Sequence, residues 1–99
     1  MKTVRFEFDA KVQLAEAKLT LDLARYSAEG LVGQARVRLD VVQRLDSEGH
    51  AIVVEGKGEA FESVVRVYAA LLIREFGEDG FRVRAVPKSA AQQEAAFVP

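Results

Sequence analysis

Two kinds of hydrophobic periodicity follow one another along this chain, and their order limits the folds it can adopt. Apolar side chains that alternate with charged ones predict strands over residues 3–9, 34–45 and 81–86, and residues 51–58 are predicted to be the strand that returns from a hairpin turn. Two segments without proline or glycine, residues 10–29 and 59–76, predict helices that end at Gly30 and Gly77. Turns are predicted at residues 46–50 and 78–80. The order is therefore strand, helix, strand, strand, helix, strand.

This order predicts an α+β domain of the ferredoxin-like, split βαβ class, with two helices on one face of a four-stranded antiparallel sheet. The usual strand order of that class, 4-1-3-2, places the second and fourth strands at the sheet edges. We expect one such domain over residues 1–87. The composition changes after Pro87, so residues 88–99 are predicted to form a flexible C-terminal tail, with Phe97 and Val98 as candidate docking residues.

The first strand has one apolar and one charged face. Val4, Phe6 and Phe8 share the face that we expect to meet the helices, whereas Arg5 and Glu7 lie on the open face. Phe6 is therefore predicted to be a core residue.

The sequence Arg-Val-Arg occurs twice, each time inside a predicted edge strand. The two copies coincide when the sequence is aligned with itself at a fixed offset. Together with other arginines they form a candidate anion or nucleic-acid face of the open sheet: Arg5, Arg36, Arg38, Arg44, Arg82 and Arg84. Charged side chains also protect sheet edges from pairing with other chains. Glu7 and Glu55 are close enough to neutralise some of these arginines, and a sheet-to-sheet dimer interface is a third interpretation.

The first predicted helix has two apolar stripes on nearly opposite sides. The stripe that we expect to pack on the sheet consists of Val12, Ala15, Leu19, Leu23 and Tyr26. The other stripe, which is predicted to form a protein interface, consists of Leu14, Ala17, Leu21, Ala24 and Ala28. A helix that lies on a sheet buries only one stripe, so the second one needs another partner. The alternative is that its leucines are isolated exposed side chains, as many soluble proteins have.

Composition and motifs give no indication of catalysis. The chain has no cysteine, which excludes disulfides and thiolate chemistry, and its single histidine, His50, falls in a predicted turn. No spacing of His, Asp or Glu resembles a metal site, no glycine-rich segment has the spacing of a phosphate-binding loop, and we expect no cofactor. Without an apolar segment long enough for export or membrane insertion, the predicted location is the cytoplasm.

These observations favour a non-enzymatic interaction or assembly module that uses the outer face of its first helix. The expected partner is a second copy of the chain, as a dimer, or another protein, and no membrane partner is expected. The alternative is a module that binds RNA or another polyanion through the arginine-rich open face. The net charge of −1 provides no overall attraction to nucleic acid, so any such binding depends on a local patch.

Overall fold

The computed structural model of the protein describes residues 1–86. Its strands are β1 (Lys2–Phe8), β2 (Val41–Asp46), β3 (Ala51–Gly56) and β4 (Phe81–Val86). Its helices are α1 (Leu14–Val32), α2 (Gln34–Asp40) and α3 (Gly58–Phe76), and a 3-10 turn, Glu78–Gly80, leads into β4. The predicted β-α-β-β-α-β order is confirmed, with the short helix α2 as an addition.

The four strands form one antiparallel sheet in the order β2-β3-β1-β4, which confirms the predicted ferredoxin-like topology. The two middle strands, β1 and β3, are adjacent, and β2 and β4 are the edges. The β2–β3 hairpin closes with Asp46 opposite Ala51 across the predicted turn. Pro87, the predicted tail and its docking residues Phe97 and Val98 lie outside the described residues.

The hydrophobic core lies between α3, α1 and one face of the sheet. Phe6 and Phe8 of β1 are buried there, so the predicted orientation of the first strand is confirmed. Phe6 packs edge-to-face against Tyr68 of α3, with ring centroids 4.7 Å apart. The Tyr68 hydroxyl donates a hydrogen bond to the Ala17 carbonyl of α1 at 2.8 Å. Burial raises the pKa of Tyr68, which keeps this hydroxyl protonated as the donor.

Residues 34–40 were predicted to begin the second strand, and this prediction is wrong because they form α2. The neighbouring strand β3 ends at Gly56, opposite Val41. The last backbone hydrogen bond of the hairpin joins the Lys57 N–H to the Asp40 carbonyl at 3.1 Å. The segment before Asp40 therefore has no strand to pair with, and a helix satisfies its backbone groups internally.

The helix α2 also changes the position of the first Arg-Val-Arg segment. Val37 is fully buried in the core, and Arg36 and Arg38 are exposed on the helical side of the sheet. The two copies of the sequence are therefore not equivalent strands, because Arg82 and Arg84 lie on β4.

The helix α1 begins and ends later than predicted. Before the helix, the Asp9 carboxylate accepts the Lys11 N–H at 3.0 Å in a turn. The N-cap residue is Gln13. The helix continues past Gly30 and ends at Gly33, whose φ of 97° is one that glycine adopts without strain.

The two apolar stripes of α1 exist, but their predicted orientations are exchanged. The stripe predicted to form an interface is in the core: Leu14 is half-buried, and the fully buried members are Ala17, Leu21, Ala24 and Ala28. Small side chains allow the backbone of α1 to approach α3 closely, as the hydrogen bond from Tyr68 requires. Of the stripe predicted to pack on the sheet, only Val12 is buried, and it lies in the turn before α1.

Within residues 1–86, none of the helices combines the length and apolar character needed to cross a lipid bilayer.

Candidate interaction surface

Three large apolar side chains form a line on the side of α1 that faces away from the core. We refer to Leu19, Leu23 and Tyr26 as the outer stripe; they are 67%, 51% and 74% exposed, respectively. Their spacing of four and three residues places them on one side of an α-helix. Single exposed leucines are common on protein surfaces, but a line of three large ones opposite a buried stripe is the pattern of an interaction surface.

Polar side chains border the outer stripe on both sides. Toward α3, a shallow groove of about 450 Å³ is lined by Glu16, Leu19, Thr20, Leu23 and Glu75. The Thr20 hydroxyl lies 2.9 Å from a Glu75 carboxylate oxygen, which links the two helices below the groove.

The border of the outer stripe toward β2 is charged. Lys18 forms an ion pair with Asp22 at 3.0 Å, one helical turn away. Arg25 donates to the Val41 carbonyl at 3.1 Å, which fixes this side of α1 over the start of β2. Glu29 lies one turn beyond Arg25 on the same side.

The residues of the outer stripe were predicted from the sequence to lie in the core. The alanine content of the opposite stripe was the signal that distinguishes the two, because a helix packed closely against both a sheet and a second helix needs small side chains there. Residue size alone suggested the reverse, since larger side chains bury more apolar area.

The open face of the sheet carries four of the six predicted arginines, and most of them have carboxylate partners. Arg5 pairs with Glu7 at 3.1 Å and with Asp46 at 2.8 Å. Arg84 approaches Glu7 at 3.6 Å, and Arg44 forms an ion pair with Glu55. A ladder of alternating charges thus extends from β4 across the sheet to β2, as expected if Glu7 and Glu55 neutralise some of these arginines.

The remaining arginines do not join this face. Arg36 and Arg38 project from α2, where Arg36 lies 3.9 Å from Glu59 of α3. The predicted six-residue arginine face is therefore wrong as a single surface. Arg5, Arg44 and Arg84 contact carboxylates, so fewer cations of the open face remain for nucleic-acid phosphates than its number of arginines suggests.

The Arg5–Asp46 pair leads to a prediction for acid stability. The Gly49 N–H and the Arg5 guanidinium both stabilise the Asp46 carboxylate and lower its pKa. A carboxyl group whose pKa is lowered by folding stabilises the protein above its unfolded pKa, and this contribution is lost as pH falls through the lowered value. Asp46→Asn should therefore reduce the urea midpoint at neutral pH. The difference from wild type should shrink toward about pH 2, below the ordinary carboxyl range. A difference that is independent of pH would contradict this role of Asp46.

His50, in the hairpin turn, contacts the segment that follows β1. Its Nε2 lies 2.7 Å from the Val12 carbonyl, to which the ring donates when that nitrogen is protonated, and its own backbone carbonyl accepts the Phe8 N–H at 3.0 Å.

Among residues 1–86, no group of three or more His, Asp or Glu side chains is arranged to hold a metal ion.

Comparison with known proteins gives no match to a family model and no significant match to a curated protein or a solved structure.

Proposed function

We propose that this protein is a non-enzymatic assembly module that pairs with a second copy of itself through the outer stripe of α1. The observation that carries the proposal is the line of exposed Leu19, Leu23 and Tyr26 on a helix whose opposite side is already in the core. Burial of these side chains in a dimer would remove apolar surface from water, which is the main driving force of protein association. The absence of cysteine fits a reducing compartment, and the cytoplasm remains the proposed location.

The outer stripe is complementary to itself when two copies of α1 pack antiparallel about a two-fold axis at Leu23. In this arrangement Leu23 faces Leu23 of the second copy, and Leu19 lies within one residue of the position opposite Tyr26. Ala15 and Gly30 lie at the two ends of the contact, where small residues allow the helices to approach closely.

The charges beside the stripe support the same pairing. A two-fold axis perpendicular to α1 brings the β2 side of one helix against the β2 side of the other, in the reverse order. Lys18 then lies within one residue of the position opposite Glu29, and this pair of opposite charges occurs twice in the dimer. Such pairs at the rim contribute little energy, about 0–1 kcal/mol each, but they favour this register over others.

The contact area sets the expected strength of the dimer. Specific interfaces commonly bury about 1,200–2,000 Å² in total, and a contact confined to one helix face lies toward the small end of that range. We therefore expect a dimer that dissociates on dilution rather than an obligate one. The monomer has its own core and should remain folded.

Leu23→Glu should abolish self-association without unfolding the protein. The substitution places two carboxylates against each other at the two-fold axis, in an interface from which water is excluded. Light scattering over a range of concentrations should show an increase toward the dimer mass for wild type and a constant monomer mass for the variant. Circular dichroism and the melting temperature at low concentration should be unchanged.

A matched control and a charge exchange test the location and register of the interface. Leu39→Glu changes a leucine of α2 that lies outside the outer stripe and is more exposed than any residue of the stripe. This variant should dimerise as wild type does. Lys18→Glu and Glu29→Lys should each weaken the dimer, and the double variant should recover affinity. A wild-type protein that stays monomeric at millimolar concentration, or a Leu39→Glu variant that also dissociates, would overturn the proposal.

A further inference from the structure

The outer edge of β4 has backbone groups that are available for another strand. Among the described residues, β4 pairs only with β1. The Asp9 N–H donates to the Gly80 carbonyl at 2.9 Å, and these two residues continue the register of the β1–β4 pairing. Hydrogen-bonded and non-hydrogen-bonded pairs alternate along an antiparallel ladder. The backbone groups of Arg82 and Arg84 therefore point toward β1, and those of the residues between and beside them, Phe81, Val83 and Ala85, point outward.

The side chains along this edge alternate between charged and apolar. Arg82 and Arg84 are exposed on the open face of the sheet. On the opposite, helical side, Val83 is 48% exposed and Ala85 is also exposed, so the helices do not cover the edge there. A strand added beside β4 would meet cations on one face and an uncovered apolar side chain on the other.

The charges at this edge are incompletely compensated. Within the described residues, Arg82 forms no ion pair, although Asp9 and Asp79 line the same end of the strand. Among residues 1–86, the one carboxylate in contact with Arg84 is that of Glu7, and Glu7 is already engaged by Arg5 at the shorter distance of 3.1 Å. Because Asp9 and Asp79 supply negative charge beside Arg82, Arg84 is the stronger candidate to attract a carboxylate from outside the domain.

The other sheet edge differs in its charges, which are paired within the domain. On β2, the Arg44 side chain is paired with Glu55 and Asp46 is paired with Arg5. The Val41 carbonyl accepts a hydrogen bond from Arg25 of α1. The two edges are thus not equivalent, and β4 is the one whose charges are not fully paired within residues 1–86.

From these observations we propose that β4 binds an extended acidic segment of another protein by β-augmentation. The bound segment adds a fifth strand, with Asp or Glu opposite Arg82 and Arg84 and apolar residues opposite Val83 and Ala85. Main-chain hydrogen bonds to the outward backbone groups supply affinity, and the alternating side chains supply specificity. This surface is separate from the outer stripe of α1, and the inference does not depend on dimerisation.

A labelled, capped hexapeptide in which Glu alternates with Val is the probe, and its binding to the full 99-residue chain is measured by fluorescence anisotropy at low salt. Saturable binding is expected, and the matched peptide with Lys in place of Glu should not bind. Arg84→Gln should weaken binding about 1.4- to fivefold and Arg82→Gln less, because single cross-strand pairs contribute about 0.2–1 kcal/mol.

Val83→Pro is the variant that tests the backbone contact. Proline removes an outward N–H but none of the hydrogen bonds to β1, so the domain should remain folded while the peptide no longer binds. Leu23→Glu, which addresses α1, should bind the peptide as wild type does.

Three results would overturn the inference. Failure of the acidic peptide to bind would mean that the arginines only protect the edge from pairing with other chains. Equal binding of the Lys peptide would remove the role of charge. Peptide binding that persists in Val83→Pro would indicate a polyanion surface instead of strand addition. Binding of a single-stranded RNA to both wild type and Val83→Pro would indicate the same.

Discussion

Leu21→Glu is expected to leave most of the protein unfolded under conditions in which wild type is folded. Leu21 lies on α1 and is fully buried between α3 and the sheet, so the variant loses its apolar contacts and places a carboxyl group in the core. Loss of a buried leucine side chain alone costs about 2–5 kcal/mol. An unpaired buried charge adds several kcal/mol more, and the total is comparable with the whole stability of a domain, about 5–15 kcal/mol.

The comparison with Leu23→Glu makes this prediction specific to the face of the helix. The two leucines are two positions apart on the same helix, and Leu23 is 51% exposed whereas Leu21 is fully buried. Far-UV circular dichroism and urea unfolding should therefore show a folded Leu23→Glu protein and a largely unfolded Leu21→Glu protein. Leu21→Ala, which introduces no charge, should fold with reduced stability. Equal stability of the two glutamate variants would mean that the orientation of α1 is wrong.

Phe6→Ala is expected to lower the free energy of unfolding by about 3–5 kcal/mol, the range for removal of a buried aromatic side chain. Phe6 is on the central strand β1 and is fully buried. Its ring packs edge-to-face on Tyr68 with an interplanar angle of 65°, a geometry that favours aromatic pairs by about 0.5–1.5 kcal/mol beyond their burial. The cavity would lie between the sheet and α3, beside the Tyr68 ring.

Val42→Ala on the open face is the control for Phe6→Ala. Val42 lies on the edge strand β2 and is 50% exposed, so its truncation should change stability by well under 1 kcal/mol. Urea unfolding of the two variants and wild type gives both values under the same conditions. A loss below about 1 kcal/mol for Phe6→Ala would place this ring at the surface and invert the faces of β1.

Much of the fold follows from local patterns in the sequence. The alternation Val4, Phe6, Phe8 against Arg5, Glu7 identifies both faces of β1, because successive side chains of a strand necessarily point to opposite sides. The hairpin between β2 and β3, the helix α3 ending at Gly77 and the order of the strands were also predictable. In each case one periodicity, or one residue with a special backbone preference, determines the local structure without reference to distant parts of the chain.

The remaining features were decided by contacts between elements. Residues 34–40 alternate in a way that suits a strand, but β3 ends at Gly56, so this segment has no strand partner and forms α2. The helix α1 has two apolar stripes, and periodicity alone does not show which of them meets the sheet. The Ala17–Leu21–Ala24–Ala28 side is buried because it lets α1 approach Tyr68 and α3 closely, which leaves Leu19, Leu23 and Tyr26 exposed. The sequence by itself therefore determined that α1 has two apolar sides, and only tertiary packing decided which one is available to a partner.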